Sequence, residues 1–475
     1  MQKFNQLSLS DIFEYCKDLF DNNKSKFITL LEQTIDFAEF IPQTFYFAFY
    51  QRFGRNRKYP LEAFISALIL QKIYSIPTDS LLIIFLKTSE ELRNFCGFTK
   101  VPDASKFTRF KQDFVEHLTA MLNTLVDYTE PICHAINKEL ASMVAYDTSG
   151  IEAYVTENNP KYMNSLVRKL KVASKSNSSI DPYKMAYGLM PSCSSADGSV
   201  KQLYINGHFC YVHKFGIITN GLGIVRHITF LDDDFKKSHP EIIIEKKSDS
   251  PDEDKSIGDS TSLQPVFRDF FSTHPNFTYN TFLGDSAFDK VDHYTFFKDS
   301  YCFKNVIIPL NTRNQSTLAP VGHNEYCYPL CPNDNTLVMK FCGYTKEQGR
   351  TDRLKWGCPK MKYSKGHYIS LCDNPCSTAV RGRTTYTFAN QNFRNLPGVV
   401  RDSEKWNNLY KIRCVVEQTI NHFKTNMCVA SRKSRNLLTT KADLLLASIT
   451  QLFTVIIADK LKSHKLIRSL KPLIS

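Results

Sequence analysis

The chain has 475 residues, 42% of them hydrophobic and 23% charged, enough for two or three domains with a sizeable buried core. Its 60 Lys and Arg exceed its 47 Asp and Glu by 13, so a polyanion such as nucleic acid is the expected partner. The start MQKFNQLSLSDIF lacks a basic stretch followed by an apolar one, and the apolar run Leu444 to Ile457 is shorter than a membrane span and interrupted by Ser448, Thr450 and Gln451. Secretion and membrane insertion are therefore not expected, and the 14 cysteines are not expected to form a disulfide framework.

Residues 1 to about 135 read as helical. Apolar residues recur at helical spacing in LEAFISALILQKIYSI and in DSLLIIFLKTSEELRNFCGF, with Pro77 as a break between them. In PDASKFTRFKQDFVEHL, Asp103 or Ser105 can cap a helix whose early turns carry Lys106, Arg109 and Lys111. Several short helices with a basic one among them suit a helix-turn-helix-like DNA reader, with Lys106 and Arg109 toward DNA; a plain helical bundle with a solvated basic face suits the pattern equally.

Strands follow from about residue 140. ASMVAYDTS is a short apolar run ending in Asp147, and GHFCYVHKFGIITNG with GIVRHITFLDDD reads as a hairpin turning at Asn220-Gly221. Between them, residues 157 to 200 are polar and basic and read as an exposed loop; residues 248 to 262 have the composition of a mobile one. Next come a helix (LQPVFRDFFSTH), a strand ending at Asp285, a helix near HYTFFKDS and the strand FKNVIIPLN. Stripped of loops, this is the strand and helix order of an RNase H-like α/β domain, whose first and fourth strands lie side by side. That order brings Asp147 and Asp285, at the ends of those two strands, to one crevice. Asp232, Asp233 and Asp234 are expected at a loop or helix start, Asp289 and Asp292 facing solvent, and Glu152 and Glu157 are weak further candidates.

A cysteine-rich stretch from about 319 to 395 interrupts the core. Cys327, Cys331, Cys342, Cys358, Cys372 and Cys376, with His323 and His367 nearby, could supply four thiolates to a structural zinc ion, or could be free cysteines in a small β-rich insertion. Two helices then occupy about 404 to 426 and 440 to 462. On the first, Tyr410, Arg413, Glu417 and Lys424 fall within roughly 60° of one another, apart from an apolar face of Leu409, Ile412, Val416, Ile420 and Phe423. One edge thus carries a hydroxyl, a guanidinium, a carboxylate and an ammonium, which fits a metal ligand flanked by phosphate-binding groups or an ordinary solvated edge with an Arg413–Glu417 ion pair. The last 75 residues hold 14 basic and 5 acidic side chains, so +9 of the +13 lies there, and the basic tail can add nonspecific phosphate contacts.

The spacing Y-(2)-R-(3)-E-(6)-K at Tyr410, Arg413, Glu417 and Lys424 resembles the third-block signature of bacterial insertion-sequence transposases of the DDE class. AYDTSGIEAYVTENNPKY resembles the first-Asp block of that family, TFLGDSAFDKVDHY its second, and RNRKYPLEAFISALILQKIYSI with VPDASKFTRF its N-terminal helical domain, so the likeness runs from about residue 50 to 460. The resemblance implies a catalytic triad of Asp147, Asp285 and Glu417 holding two Mg²⁺ or Mn²⁺ ions about 3.5–4 Å apart for DNA cleavage and strand transfer. It further implies double-stranded DNA partners (terminal inverted repeats and target), self-association on paired ends, and a cytoplasmic, nucleoid-associated bacterial protein. By analogy with some related transposases, Trp406 would hold a flipped base, against the competing role of a core tryptophan. A nuclease of the same fold and a DNA-binding regulator are the alternatives. The expected organisation is a helical DNA-binding domain (1–135), an RNase H-like core (140–318), the Cys-rich insertion (319–395), the core's C-terminal helices (396–462) and a basic tail (463–475).

Overall fold

A computed structural model of the chain describes residues 25–51, 56–175, 181–205, 208–243, 257–311, 322–324, 328–345, 353–388, 394, 398–401, 403–431, 434 and 436–474. Among the described residues, eight helices come first: α1 (Lys26–Thr34), α2 (Gln43–Phe49), α3 (Leu61–Ile73), α4 (Asp79–Thr88), α5 (Glu90–Cys96), α6 (Ala104–Asp113), α7 (Val115–Ile136) and the short α8 (Lys138–Ala141). Their starts follow the local chemistry. Thr78, Ser89 and Asp103 accept from the free amides of Leu81, Leu92 and Ser105, and α5 ends at Gly97 in the left-handed conformation. Helix α3 has almost no polar face and is buried nearly all round.

The chain continues through β1 (Met143–Glu152), α9 (Pro160–Ser174), α10 (Pro182–Gly188), β2 (Lys201–Ile205), β3 (His208–Asn220) and β4 (Val225–Phe230). After α11 (Asp233–Ser238) and α12 (Asp259–Thr273) come β5 (Thr281–Leu283), α13 (Val291–Thr295) and β6 (Asn305–Ile307). These six strands form one sheet. β1 pairs antiparallel with β3 and parallel with β5, β5 is parallel to β6, and the outer edge of β3 carries β2 and then β4. The expected adjacency of the first strand and the strand leading to Asp285 is thus observed. The β3–β4 turn is held by Asn220, whose side-chain oxygen accepts from the amides of Leu222 and Ile224. Gly221 lies where a Cβ would come within 2.6 Å of the Leu140 carbonyl oxygen, which explains the glycine.

Within residues 157–200, Pro160–Ser174 and Pro182–Gly188 are helical rather than loop. Asn159 caps α9, with Pro160 in its first turn, a start signal that the charge of the segment obscured. Of the stretch expected to be mobile, residues 248–256 lie outside the described residues, and α12 already begins at Asp259.

The sheet's two faces carry different cores. Alternation along β1 sends Met143, Ala145 and Ile151 one way and Val144 and Tyr146 the other. The second face is covered by α12 and α13. The first shares a continuous core with the N-terminal helices and with the C-terminal α14 (Glu404–Ile412), α15 (Cys414–Asn421) and α16 (Leu437–Lys460). Helix α16 is long and apolar enough to cross a membrane, but 94% of its most apolar window is buried inside the protein, as in a soluble core helix. The tail beyond it is folded: Leu466, Ile467 and Leu470 join the core, and Arg468 donates to the Leu222 carbonyl and to Gln418.

Several imidazoles are held neutral by burial. Desolvation pushes His227 down to about 3, with His274 adding to the effect, and also lowers His213, His293 and His422. A folded pKa below the unfolded value near 6.5 means that the unfolded chain takes up protons first on acidification. The stability these groups contribute is complete above pH 6.5 or so and falls as pH drops through the window down to about 3. His227 alone is expected to cost about 1 kcal/mol between pH ~7.5 and ~5.5, read as a shift in urea midpoint. A loss of the same size in His227→Gln would remove this imidazole as a cause.

Candidate active site

The odd-numbered face of β1 continues through Asp147 and Ser149, so both side chains point to the side on which α15 packs. Helix α15 lies there because Val415, Val416 and Ile420 are buried against that face, and Thr419 donates to the Gly223 carbonyl at the hairpin turn. The β1–β5 register pairs Ala145 with Leu283, so Asp147 and Asp285 stand at equivalent steps beyond the last paired residues. Gly284 precedes Asp285 where a Cβ would come within 2.8 Å of the Phe282 ring, and this close approach lets the chain turn at the strand end. Asp285 then caps a short 3-10 turn (Ser286–Phe288), one carboxylate oxygen accepting from the Ala287 amide at 2.7 Å.

The other Asp285 oxygen lies 3.4 Å from the Arg413 guanidinium, and the same nitrogen is 2.9 Å from Glu417. Arg413 sits at a one-residue interruption between α14 and α15, itself in right-handed helical conformation, and its Nε is a buried donor without an acceptor. Burial pushes the Asp147 carboxyl up to about 7; the Thr148 amide and Arg413 oppose the rise, while Asp285 and Glu417 add to it. Those last two effects mark all three acids as electrostatic neighbours. Lys424 donates to Ser149 at 2.7 Å, and its pKa is lowered by burial against the charges of Cys210 and Asp147. Tyr410 is partly buried against the core. Three acids, a guanidinium and an ammonium therefore gather from a strand, a strand end and a helix.

Among the described residues no three His, Cys, Asp or Glu side chains stand at metal-ligand spacing. The donor set still suits a hard divalent cation. It consists of carboxylates only, one of them raised to about 7 mainly by burial with the other two adding to the rise, and Arg413 is the cation between two of them.

Several expectations are corrected. Asp289 does not face solvent: it is buried, accepts a two-pronged contact from Arg394 at 2.8 and 2.7 Å, and accepts from Tyr294 and the Asn311 amide. Arg401 extends this network, donating to Tyr294 and to the Arg394 carbonyl while its own amide donates to Tyr328. These residues brace the turn after Asp285, and sequence spacing carried no signal for them. Trp406 has no open face for a base, since it is buried in the core with the Arg401 guanidinium 5.3 Å from its ring. Asp232 caps α11, as expected of a helix start, and Asp292 is exposed on α13. Glu157 is spent on Ser194 and Ser195.

On α6, Lys106 and Arg109 are exposed and line a cleft of about 510 Å³ together with Arg57, Lys58 and Phe110. Lys111 does not join them, being fully buried. Among the described residues, the insertion holds β7 (Leu330–Cys331), β8 (Asp334–Val338), β9 (Lys340–Thr345), β10 (Arg353–Gly357), β11 (Met361–Ser364), β12 (His367–Ser370) and β13 (Thr384–Thr387), β-rich as expected. Cys331, Cys358, Cys372 and Cys376 line one pocket there, whereas Cys342 is exposed on β9 and Cys327 lies outside the described residues. His367 is exposed, its Nδ1 3.1 Å from the Lys365 carbonyl oxygen, and neither it nor His323 lines that pocket.

No curated protein matches this chain. Among solved structures, it is similar to a cryo-EM structure of a piggyBac transposase synaptic complex with hairpin DNA, at 10% identity over 87% of this chain and 69% of that one, with a TM-score of 0.38. Residues 14–113 match the profile of a family described as a transposase domain (DUF772), which supports a transposase; Asp147, Asp285 and Glu417 lie beyond the matched segment.

Proposed function

We propose that the protein is a DNA transposase of the DDE type, with an RNase H-like core that cleaves transposon ends and joins them to target DNA. The observation that carries this reading is the gathering of Asp147, Asp285 and Glu417 around Arg413, in a chain whose N-terminal helices match a transposase domain. Asp147, Asp285 and Glu417 would hold two Mg²⁺ or Mn²⁺ ions. Bound there, such ions activate water or a DNA 3′-hydroxyl and stabilise the leaving oxygen. The chain's own groups do the rest. The Arg413 guanidinium, already between Asp285 and Glu417, would offer positive charge to a phosphate, and Lys424, fixed by Ser149, supplies a point charge beside Asp147. Lys106 and Arg109, with Arg57 and Lys58 in the same cleft, would grip the phosphate backbone, with an affinity that falls steeply with salt. Acting on paired ends calls for self-association on DNA, in a bacterial cytoplasm.

The test is a strand-transfer assay. The protein, Mg²⁺ or Mn²⁺, a labelled duplex carrying the inverted repeats that flank the gene, and a target plasmid are expected to give nicked ends and then joined products. Cleavage without joining would leave a nuclease, and binding without metal-dependent cleavage would leave a DNA-binding regulator; either outcome ends the transposase reading.

A further inference from the structure

The insertion is short of core. Its main cluster is Tyr328, Met339, Leu354 and Trp356 with partly buried Val400, and the hairpin β11–β12 stands apart as a two-stranded sheet with Tyr363, Tyr368 and Ile369 exposed. A lone two-stranded hairpin is marginal in water, and small units of this kind need a covalent or metal staple. We infer that Cys331, Cys358, Cys372 and Cys376 bind a structural zinc ion that clips this insertion together.

The four cysteines come from three segments and face one pocket of about 290 Å³. Pairing in the hairpin runs back to Lys360 and Leu371, so Cys358 and Cys372 flank its open end. Cys331 ends β7, and the turn after it is tied to the Cys372–Cys376 loop by Asn333, which donates to the Asn374 carbonyl at 2.6 Å. Lys360 pairs with Asp334 at 3.3 Å on the same side. All four thiols are unpaired with one another as disulfides. Among the described residues no three of these side chains stand at metal-ligand spacing, so binding an ion would have to draw the four sulfurs together. Binding would release the thiol protons and leave a dianionic four-thiolate centre, and Lys360 and Arg383 stand near to balance it.

The inference does not rest on the transposase reading, and its test is separate from activity. Full-length protein made in zinc-supplemented medium and washed with a mild chelator is expected to carry one zinc equivalent by elemental analysis. Cys358→Ser and Cys376→Ser should each fall below about 0.2 equivalent, while Cys342→Ser and Asp285→Asn keep the metal. Should the serine variants fail to fold, cobalt added to zinc-stripped wild type should give thiolate charge-transfer bands and tetrahedral d–d absorption. Wild type below about 0.2 equivalent, zinc kept by the serine variants, or no thiolate bands with cobalt would each overturn the site.

Discussion

Asp285→Asn and Glu417→Gln are each expected to lower metal-dependent strand cleavage by at least about 10³-fold, because losing a ligand to a catalytic metal removes several kcal/mol of transition-state stabilisation. DNA affinity should change little, since Lys106, Arg109, Arg57 and Lys58 lie on other elements. Asp147→Asn should behave alike, with one difference. Its carboxyl is the one pushed up to about 7, so under the proposed two-metal reading the wild type would have to deprotonate it to take metal, and the metal concentration giving half-maximal cleavage should rise on acidification. Both substituted amides keep the size of the acid, and the amide oxygen introduced by Asp285→Asn can still accept from the Ala287 amide and cap the turn. A fall in activity therefore reads on chemistry rather than on folding. Cleavage within tenfold of wild type by either Asp285→Asn or Glu417→Gln would sink the three-acid site. A parallel collapse in DNA binding would show that the variants had lost structure instead.

The acids were legible in the sequence for a simple reason. Each of Asp147 and Asp285 ends an apolar run; β1 itself runs on to Glu152, so Asp147 lies mid-strand, but its parallel pairing with β5 stops at Ala145 and leaves both acids just beyond the paired steps. Glu417 was legible because helical periodicity separates its edge from the face of Val416, Ile420 and Phe423, all of which are buried. What the pattern could not convey is which charged groups the fold would enclose. Asp289 read as solvent-facing because its partner Arg394 is 105 residues away. Lys111 read as one of three basic residues on α6, although only Lys106 and Arg109 are outside. The contact of Arg413 with Asp285, 128 residues away, was equally hidden.

Lys111 carries the second large expectation. Its ammonium is fully buried and lies 2.8 Å from Asp79 and 2.7 Å from Asp443; Lys72 reaches Asp443 at 3.3 Å, and Gln71 donates to Asp79. Two lysines and two aspartates from α3, α4, α6 and α16 are thus charge-balanced inside the core, tying the N-terminal helices to the helix behind the six-stranded sheet. Burying four charges costs much of what their attraction returns, so the network is costly to unbalance more than it is strongly stabilising. Lys111→Met fills similar space but leaves two buried carboxylates sharing the single charge of Lys72, and should destabilise by about 3–5 kcal/mol in denaturant titration. Lys106→Met, on the same helix but exposed, should stay within about 0.5 kcal/mol and instead weaken DNA binding. Neutralising both partners in Lys111→Met/Asp443→Asn leaves Lys72 facing Asp79 and restores the balance of charge, so the double variant should lose less than the two single losses combined. Strict additivity, or a Lys111→Met protein within about 1 kcal/mol of wild type, would mean that this lysine is not the pin between the helices and the core.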